Sequence, residues 1–523
     1  MHIFELLLGL LGFCLLLALV AKRLDLPFAV ALVLGGMVVA FIPGLPQLEF
    51  EPELALALFL PPLLQLSAYR TDWPAFRTNL RPILLLAVGA VLFTAAIVAV
   101  IAKWLVPSLP WGAAIALGAI VAPPDAVAAA AVLKHLKPPK RIVTVLEGES
   151  LLNDASSLVL YRFAVAATIA GSFDLKQGAL SFFLSAIGGG LIGHGVGRIA
   201  MWVFARLDET LHDVTVSVLA GFVAYFAAEA VHVSGVLGVV SCGLVLGRHQ
   251  HHAFTAQTRL VSAAVWSFLE FVLTSLVFML IGMQLRGIVE RLTNYDPWRL
   301  GLLGLAVSAA LIVSRFVWIM PMAWVPRLLS PSLRARDPMP PWSELFVLSW
   351  AGMRGVVSLA AALALPLKFP GRDIIVFLAF CAILATLVLQ GTTLGLLIRR
   401  LGVMEPETVG PNAEQLAVRR QVTSAALSVV EERLEDPEHR EAATGLLDEY
   451  KDRVEQASEL REQDDDGTDR LGDQLRLRLA TIEASRASLA DSTADHETEA
   501  RRDILEELDL EEEQIRRELG ERG

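Results

Sequence analysis

The sequence predicts an all-α polytopic membrane protein of about 13 transmembrane helices, with inverted repeats, two broken crossing helices and a helical cytoplasmic tail. Two observations lead to this fold class. Residues 1–404 form a succession of apolar runs near or above the ~18 residues that cross a bilayer as a helix, in a chain whose mean hydropathy is +0.56. Residues 405–523 are instead polar, with 34 acidic and 16 basic residues and a net charge of −18.

The apolar runs predict 13 spans, and loop charge orients them. With the N-terminus outside, the loops on the inner side carry 17 Lys and Arg residues and the outer loops carry 7. Positive charge favours the cytoplasmic side, so the tail is expected in the cytoplasm. No basic residue precedes the first run, which is therefore read as a retained helix and not a signal peptide. The spans are approximately 3–21, 27–42, 52–69, 82–106, 111–133, 142–170, 179–205, 214–230, 233–247, 260–285, 300–326, 342–366 and 374–398.

Two pairs of spans resemble each other at an offset of seven. PFAVALVLGGMVVA in the second span resembles SGVLGVVSCGLVLG in the ninth. WGAAIALGAIVAPPDAVAAAAVL in the fifth has a counterpart in LFVLSWAGMRGVVSLAAALALP of the twelfth. An odd offset places the two copies in opposite orientations, and inverted repeats with broken helices are typical of secondary transporters.

The fifth span carries a carboxylate beside two prolines. Pro123 and Pro124 precede Asp125, and paired prolines remove two backbone donors, which predicts a helix break. Backbone freed at such a break can face an ion where it lines a cavity. The alternative is a proline kink in which Asp125 pairs with a neighbouring side chain.

The sixth span concentrates five polar groups within eight residues. Helical spacing puts Ser150 and Asp154 on one face with Glu147 close by, while Glu149 and Asn153 form a neighbouring stripe. Ionisable groups inside a bilayer cost ~2.5–3.5 kcal/mol each, so each one needs an explanation. Oxygen ligands suit a hard cation, and burial favours the neutral, protonated carboxyl group. One site that holds either a cation or a proton satisfies the minimal requirement for exchange; the alternative is a network that only joins helices.

Two arginines also lie within predicted spans. Arg354 sits in GMRG at the break of the twelfth span, where a buried guanidinium needs a carboxylate partner. Glu149 is the expected partner, with Glu147 as the second choice. Arg315 in the eleventh span is predicted either to pair with a carboxylate or to compensate helix-end dipoles.

Two further patterns concern helix packing. Gly189, Gly193 and Gly197 recur every four residues, which predicts close approach of a second helix. The FLPPLL run at 59–64 predicts another helix break.

Together, these motifs identify a family resemblance. APPDAVAAAAVLKHLKPP, EGESLLNDASS, GMRGVVSLAAALALP and FLPPLL resemble the bacterial sodium/proton exchanger branch of the monovalent cation:proton antiporter superfamily. The resemblance covers residues 1–400 and implies core and dimerisation subdomains, a homodimer in the bacterial inner membrane and elevator-type alternating access. It implies transport of Na⁺ (or K⁺ or Li⁺) against H⁺ without a cofactor, and no nucleic-acid partner.

The resemblance also implies roles for individual residues. Asn before the essential Asp is typical of electroneutral members, as in Asn153–Asp154. Many relatives read Thr-Asp-Pro where this chain has Pro124-Asp125-Ala126, which leaves the Pro124 carbonyl in place of a threonine ligand. The implied roles are Asp154 as the shared cation and proton carboxylate, Ser150 and Asp125 as further cation ligands, Asn153 as a helix-bridging amide, Glu149 with Arg354 as a stabilising ion pair, and Glu147 and Arg315 as accessory groups.

Residues 405–523 show apolar spacing that predicts amphipathic helices separated near 464–467 and 491–496. The tail is expected to be a helical appendage supporting the dimer, with a regulatory role as the alternative. Three other functions compete for the membrane part. They are a potassium-preferring or broad-selectivity exchanger, an ion sensor controlling the tail, and an intramembrane aspartyl protease, whose Gly-x-Gly-Asp signature is absent from the chain.

Overall fold

The computed structural model describes residues 2–434, apart from 25, 44–51, 134–135, 137, 172–174, 208, 293–294 and 405–412, together with parts of 440–516. Within those residues the secondary structure is helical, with no strand. The chain divides into two compact units, Met1–Glu405 and Pro406–Gly523.

The helices of the first unit follow the apolar runs. In chain order they are α1 His2–Leu24, α2 Phe28–Ala40, α3 Pro52–Arg70, α4 Trp73–Thr78, α5 Leu80–Leu84, a π-helical segment π1 Leu85–Ala90, α6 Val91–Leu105, α7 Trp111–Val121, α8 Ala126–Leu133, α9 Lys140–Ala170, α10 Leu175–Phe204, α11 Thr210–Ala230, α12 Gly235–Ala253, α13 Ala256–Met283, α14 Leu285–Glu290, α15 Pro297–Leu329, α16 Pro331–Arg336, α17 Trp342–Trp350, α18 Val356–Leu363, α19 Arg372–Ala385, π2 Thr386–Gln390 and α20 Gly391–Leu401.

Five helical stretches are long and apolar enough to cross a membrane, counting only the described residues. They are Leu80–Leu105, Thr210–Ala230, Gln257–Glu290, Pro297–Leu329 and Arg372–Leu401. Shorter apolar helices accompany them at Phe28–Ala40, Trp111–Val121 and Gly235–His249. Large apolar side chains are exposed along many of these helices, as expected where a helix surface faces lipid.

The predicted breaks in the fifth and twelfth spans are confirmed. Residues 122–125 separate α7 from α8, and residues 351–355 separate α17 from α18. The two interruptions touch, because the backbone N–H of Asp125 donates to the carbonyl of Met353 at 2.7 Å. Non-helical backbone at membrane depth is tolerated where other parts of the protein satisfy its hydrogen-bonding groups. Here each break satisfies some of the backbone groups of the other break.

The predicted break at FLPPLL is wrong. α3 runs without interruption from Pro52 to Arg70 and contains Pro61 and Pro62. The helix packs closely on α12, since a Cβ at Gly247 would overlap the Tyr69 carbonyl. Prolines are tolerated in membrane helices because neighbouring groups can satisfy the backbone atoms that they free.

The glycine stripe packs as predicted. A Cβ at Gly189 would overlap the carbonyl of Ser234, and a Cβ at Gly193 would overlap that of Gly238. Gly197 meets α12 one turn further along. The stripe therefore brings the backbones of α10 and α12 into direct contact.

The second unit contains α21 Ala413–Arg433 and further helical residues at 443–448 and 477–482. Ile482 and Ile515 are buried together, with Leu479 and Leu508 packed against them. The predicted separations near 464–467 and 491–496 lie outside the described residues.

Candidate ion-binding site

Asp154 lies near the middle of α9 and is buried. Its side chain is 7% exposed, and that of Asn153 is fully buried. Among the described residues, the Asp154 carboxylate has neither a hydrogen bond nor an ion pair, and its main electrostatic neighbour is the second carboxylate, Asp125. A buried carboxylate with a carboxylate neighbour requires a proton or a cation to neutralise it.

Asn153 joins α9 to the break between α7 and α8. Its Nδ2 donates to the carbonyl of Pro124 at 2.7 Å. Its Oδ1 is buried without a partner among the described residues, so one amide oxygen beside Asp154 is still available. The Pro124 carbonyl accepts from Asn153 and retains a second lone pair.

Asp125 lies at the break itself, half-buried against the GMRG segment. A Cβ at Gly355 would overlap its carboxylate. The glycine is therefore required for this close approach, at a φ of −139° that any residue can adopt. Asp125 at the break is also the charged neighbour of Asp154 on α9, so the two acids predicted to bind cation come from separate parts of the fold.

Glu149 forms a bidentate ion pair with Arg315 of α15. The Nη1–Oε1 and Nη2–Oε2 distances are 2.6 and 2.7 Å, and the two side chains are 1% and 3% exposed. Arg315 also donates to the carbonyl of Leu348 at 3.3 Å. Gly352 leaves the space for this arginine, since a Cβ there would lie 2.5 Å from its Cδ.

Arg354 instead holds the ends of the broken helix. Its Nε donates to the carbonyl of Val121 at 2.9 Å and its Nη2 to that of Ala122 at 3.3 Å, while Nη1 donates to the Gly352 carbonyl. Its backbone N–H donates to Thr386 Oγ1 at 3.1 Å. The guanidinium therefore satisfies the carbonyls left open where α7 ends, at the negative end of that helix dipole.

The predicted pairing of Glu149 with Arg354 thus differs from the contact that the structure shows. Arg354 lies within electrostatic range of Glu149, but its donors are committed to main-chain carbonyls. Arg315 reaches the carboxylate in bidentate geometry, so the partner is the arginine predicted as accessory.

The remaining predicted residues lie on α9 around this cluster. Ser150 is half-buried one turn before Asp154. Glu147 is half-buried on the side of Arg70, whose guanidinium pairs with Glu270 at 2.7 Å. Glu147 therefore belongs to a neighbouring polar region and not to the Glu149–Arg315 pair.

Sequence reasoning did not single out three buried hydroxyls. Ser156 donates to the carbonyl of Ala87 at 2.5 Å, and Ser157 donates to that of Ala119 at 2.7 Å. Thr386 accepts from the Arg354 backbone. Ser156 and Ser157 belong to the EGESLLNDASS run. Their position two and three residues after Asp154 is the sequence feature that could have marked them as part of the site.

The chemistry of the site follows from this charge distribution. Glu149 is neutralised by Arg315, whereas Asp154 and Asp125 together carry two carboxylates with no guanidinium bound to Asp154 among the described residues. The oxygen groups nearby are the Asn153 amide and the Pro124 carbonyl. Such a set can bind a hard cation or a proton, and occupancy by either lowers the repulsion between the acids.

The family model described as "Sodium/hydrogen exchanger, transmembrane" matches residues 10–400. The chain belongs to this family. Sodium/hydrogen exchangers are multi-pass membrane transporters and not enzymes, so the protease alternative is set aside.

The relatives of this exchanger-family chain include two bacterial proteins. A sodium, potassium, lithium and rubidium/H⁺ antiporter of Bacillus pumilus is 32% identical over 80% of this chain and 64% of its own length. An uncharacterized Na⁺/H⁺ exchanger of Escherichia coli is 31% identical over 93% of this chain and 94% of its own length. The chain thus spans somewhat less than two thirds of the first of these relatives.

Among solved structures, the sodium proton antiporter MjNhaP1 of Methanocaldococcus jannaschii at pH 8 is similar with a TM-score of 0.60. The two share 18% identity, and the match covers 76% of this chain and 98% of that one. The likeness shows a common fold.

Proposed function

We propose that this protein is a secondary active transporter that exchanges a monovalent cation, Na⁺ first, for H⁺ across the membrane. The proposal depends on one observation: Asp154 is a buried carboxylate without an ion pair among the described residues, beside a second carboxylate at a helix break. Membership of the sodium/hydrogen exchanger family supports it.

Exchange follows if Asp154 cannot stay charged and empty. Burying an unpaired carboxylate costs on the order of several kcal/mol. The site therefore crosses the membrane only when a proton or a cation is bound to Asp154. A proton and a cation compete for the same carboxylate, so each displaces the other. Asp125, Ser150, the Pro124 carbonyl and Asn153 Oδ1 would then complete the cation's oxygen shell.

The stoichiometry proposed is one cation for one proton. Asn153 is uncharged in both states, and Glu149 is paired with the Arg315 guanidinium. Asp154 is then the carboxylate whose charge changes during the cycle, and the transport cycle moves no net charge. Arg354 stabilises the break structurally without taking part in this exchange.

A second candidate is a broad-selectivity or potassium-preferring antiporter. The Bacillus pumilus relative is named for sodium, potassium, lithium and rubidium. Carboxylate, amide and carbonyl oxygens accept any of these hard cations, and cavity dimensions discriminate among them.

The architecture proposed is about 13 transmembrane helices with two inverted repeats, in a homodimer of the bacterial inner membrane. Residues 1–400 would form core and dimerisation subdomains, with the core moving as an elevator. The contact between the two broken helices supports a core built around them. The excess of basic residues on one side supports an external N-terminus and a cytoplasmic acidic tail.

Proteoliposome exchange tests the assignment. An imposed Na⁺ or K⁺ gradient should move protons, read by an internal pH dye, and Asp154→Asn should abolish this movement. Asp213→Asn is the matched control, because Asp213 is also a 7% exposed carboxylate but lies on α11. Retained transport in Asp154→Asn, or equal loss in both variants, would contradict the assignment.

Membrane potential tests the stoichiometry in the same vesicles. Setting the potential to different values with an ionophore should leave the exchange rate nearly unchanged. A rate that rises steeply with potential would show that net charge moves in each cycle.

A further inference from the structure

A cavity of about 80 Å³ lies away from Asp154, where several helices end. Arg141 and Ile142 line it from the first turn of α9, Glu344 from the first turn of α17, and Arg327 from the last turn of α15. Arg81 lines it from α5. Leu80–Leu105 and Pro297–Leu329 are each long enough to cross a membrane, and the cavity lies at one end of both. The cavity therefore lies near one face of the membrane-spanning unit.

The charges around this cavity do not balance. Arg141 donates to Asp337 at 2.8 Å, and Arg327 donates to the same carboxylate. Glu344 is the second acid among the lining residues. Three guanidinium groups thus face two carboxylates, one of which is shared, leaving a net charge of +1.

Arg81 carries the unsatisfied group. Its Nη1 is buried and has no hydrogen-bond partner among the residues that the structure describes. A buried donor without an acceptor has lost its hydration and gained no hydrogen bond in return, and this penalty is larger when the donor is charged. An anionic oxygen in the cavity would remove this penalty.

The walls favour an amphiphilic occupant. Leu85, Val145, Trp318 and Leu348 contribute apolar surface between the arginines. The volume exceeds the roughly 10–15 Å³ that one water needs. The positive dipole ends of α9 and α17 add to the arginine charge at this point.

Aromatic residues beside the cavity fit a position at the membrane surface. Trp324 and Trp342 pack edge to face, with ring centroids 4.5 Å apart, and Trp342 is exposed. Tryptophan is enriched where lipid headgroups meet the acyl region, and basic pockets between membrane helices bind anionic headgroups.

We propose that this cavity binds a phosphate group, carried by an anionic membrane lipid or by a free phosphate ester, with Arg81 as its principal ligand. Arg141 and Arg327 supply the surrounding positive charge. The site borders the ion-pair scaffold, since Val145 lies one turn before Glu149 and the Leu348 carbonyl accepts from Arg315. Occupancy would brace α9 against α15 and α17.

Thermal unfolding of the purified full-length protein tests the site without a transport assay. The probes are dioctanoyl phosphatidylglycerol, dioctanoyl phosphatidylcholine and glycerol 3-phosphate, each titrated into detergent-solubilised protein. A ligand that binds only the folded state raises the unfolding midpoint with concentration. Arg81→Gln should require at least about tenfold more phosphatidylglycerol for the same rise, because it loses a charged hydrogen bond.

Arg77→Gln is the matched control, since Arg77 is an exposed arginine of α4, is one turn before Arg81 and does not line the cavity. Protection by phosphatidylglycerol alone identifies a lipid headgroup, and protection also by glycerol 3-phosphate identifies a free ester. In both cases phosphatidylcholine should bind weakly. Ile142→Trp, which fills the cavity and keeps every charge, should also remove protection. Equal protection of Arg81→Gln and Arg77→Gln, or protection that survives Ile142→Trp, would overturn the proposal.

Discussion

The Glu149–Arg315 pair makes a quantitative prediction about stability. Arg315→Gln would leave a 1% exposed carboxylate without its guanidinium. Breaking a buried pair by removing one partner costs about 3–5 kcal/mol, because the other charge stays buried. At about 1.4 kcal/mol per factor of ten, the unfolding equilibrium constant should rise by roughly two to three and a half orders of magnitude.

A double-mutant cycle separates this pair from the alternative arginine. Glu149→Gln with Arg315→Gln should cost less than the sum of the single changes, with a coupling energy of about 2–3 kcal/mol. Glu149→Gln with Arg354→Gln should be nearly additive, within about 1 kcal/mol. The reason is that Arg354 donates to main-chain carbonyls and does not contact the carboxylate.

The assay is the free energy of unfolding in mixed micelles, titrated with a denaturing detergent and followed by tryptophan fluorescence. Arg315→Lys keeps the charge but loses the bidentate geometry, so an intermediate cost of about 1–3 kcal/mol is expected. A coupling between Glu149 and Arg354 larger than that between Glu149 and Arg315 would refute the reasoning.

Three other substitutions have defined outcomes. Gly355→Ala should abolish cation-driven proton movement in folded protein, because the new methyl group overlaps the Asp125 carboxylate. Gly193→Leu should lower the unfolding temperature strongly, because it separates α10 from the Gly238 backbone of α12. Ser156→Ala should cost about 1–3 kcal/mol of unfolding free energy, since a buried carbonyl in π1 loses its donor.

Each has a control in the same protein. A Cβ at Gly195 would meet no described atom within 4 Å, so Gly195→Ala and Gly195→Leu should leave transport unchanged and should not lower the unfolding temperature. Thr168→Ala removes a hydroxyl bond to the carbonyl of Ala164, within α9, and should cost little. Normal transport in Gly355→Ala, or equal unfolding temperatures for the two leucine variants, would contradict the packing argument.

The parts of the fold that depend on local chemistry were predictable. The breaks near Asp125 and Arg354 follow from paired prolines and flanking glycines, whose effects act on the adjacent backbone. The spacing of the glycine stripe in α10 also predicted its close packing against another helix, because a four-residue repeat places the glycines on one helix face.

The exceptions were decided by neighbouring helices. Pro61 and Pro62 carry the same local signal as Pro123 and Pro124, yet α3 continues through them. α3 packs closely against α12, whereas the backbone after Pro123 and Pro124 bonds to the second break, through the Asp125 N–H and the Met353 carbonyl. The π1 segment also contacts a residue far away in the sequence, as Trp318 donates to its Leu85 carbonyl at 3.0 Å.

The sequence alone thus determined the fold class, the family resemblance and the concentration of acids around Asp154, because hydropathy, proline pairs and motif spacing are properties of neighbouring residues. Only the tertiary structure decided which arginine neutralises Glu149. Glu149 and Arg315 are 166 positions apart, and their contact depends on how α9, α15 and the 351–355 break are packed. A guanidinium binds the acceptors that packing brings within reach, and no local pattern records that geometry.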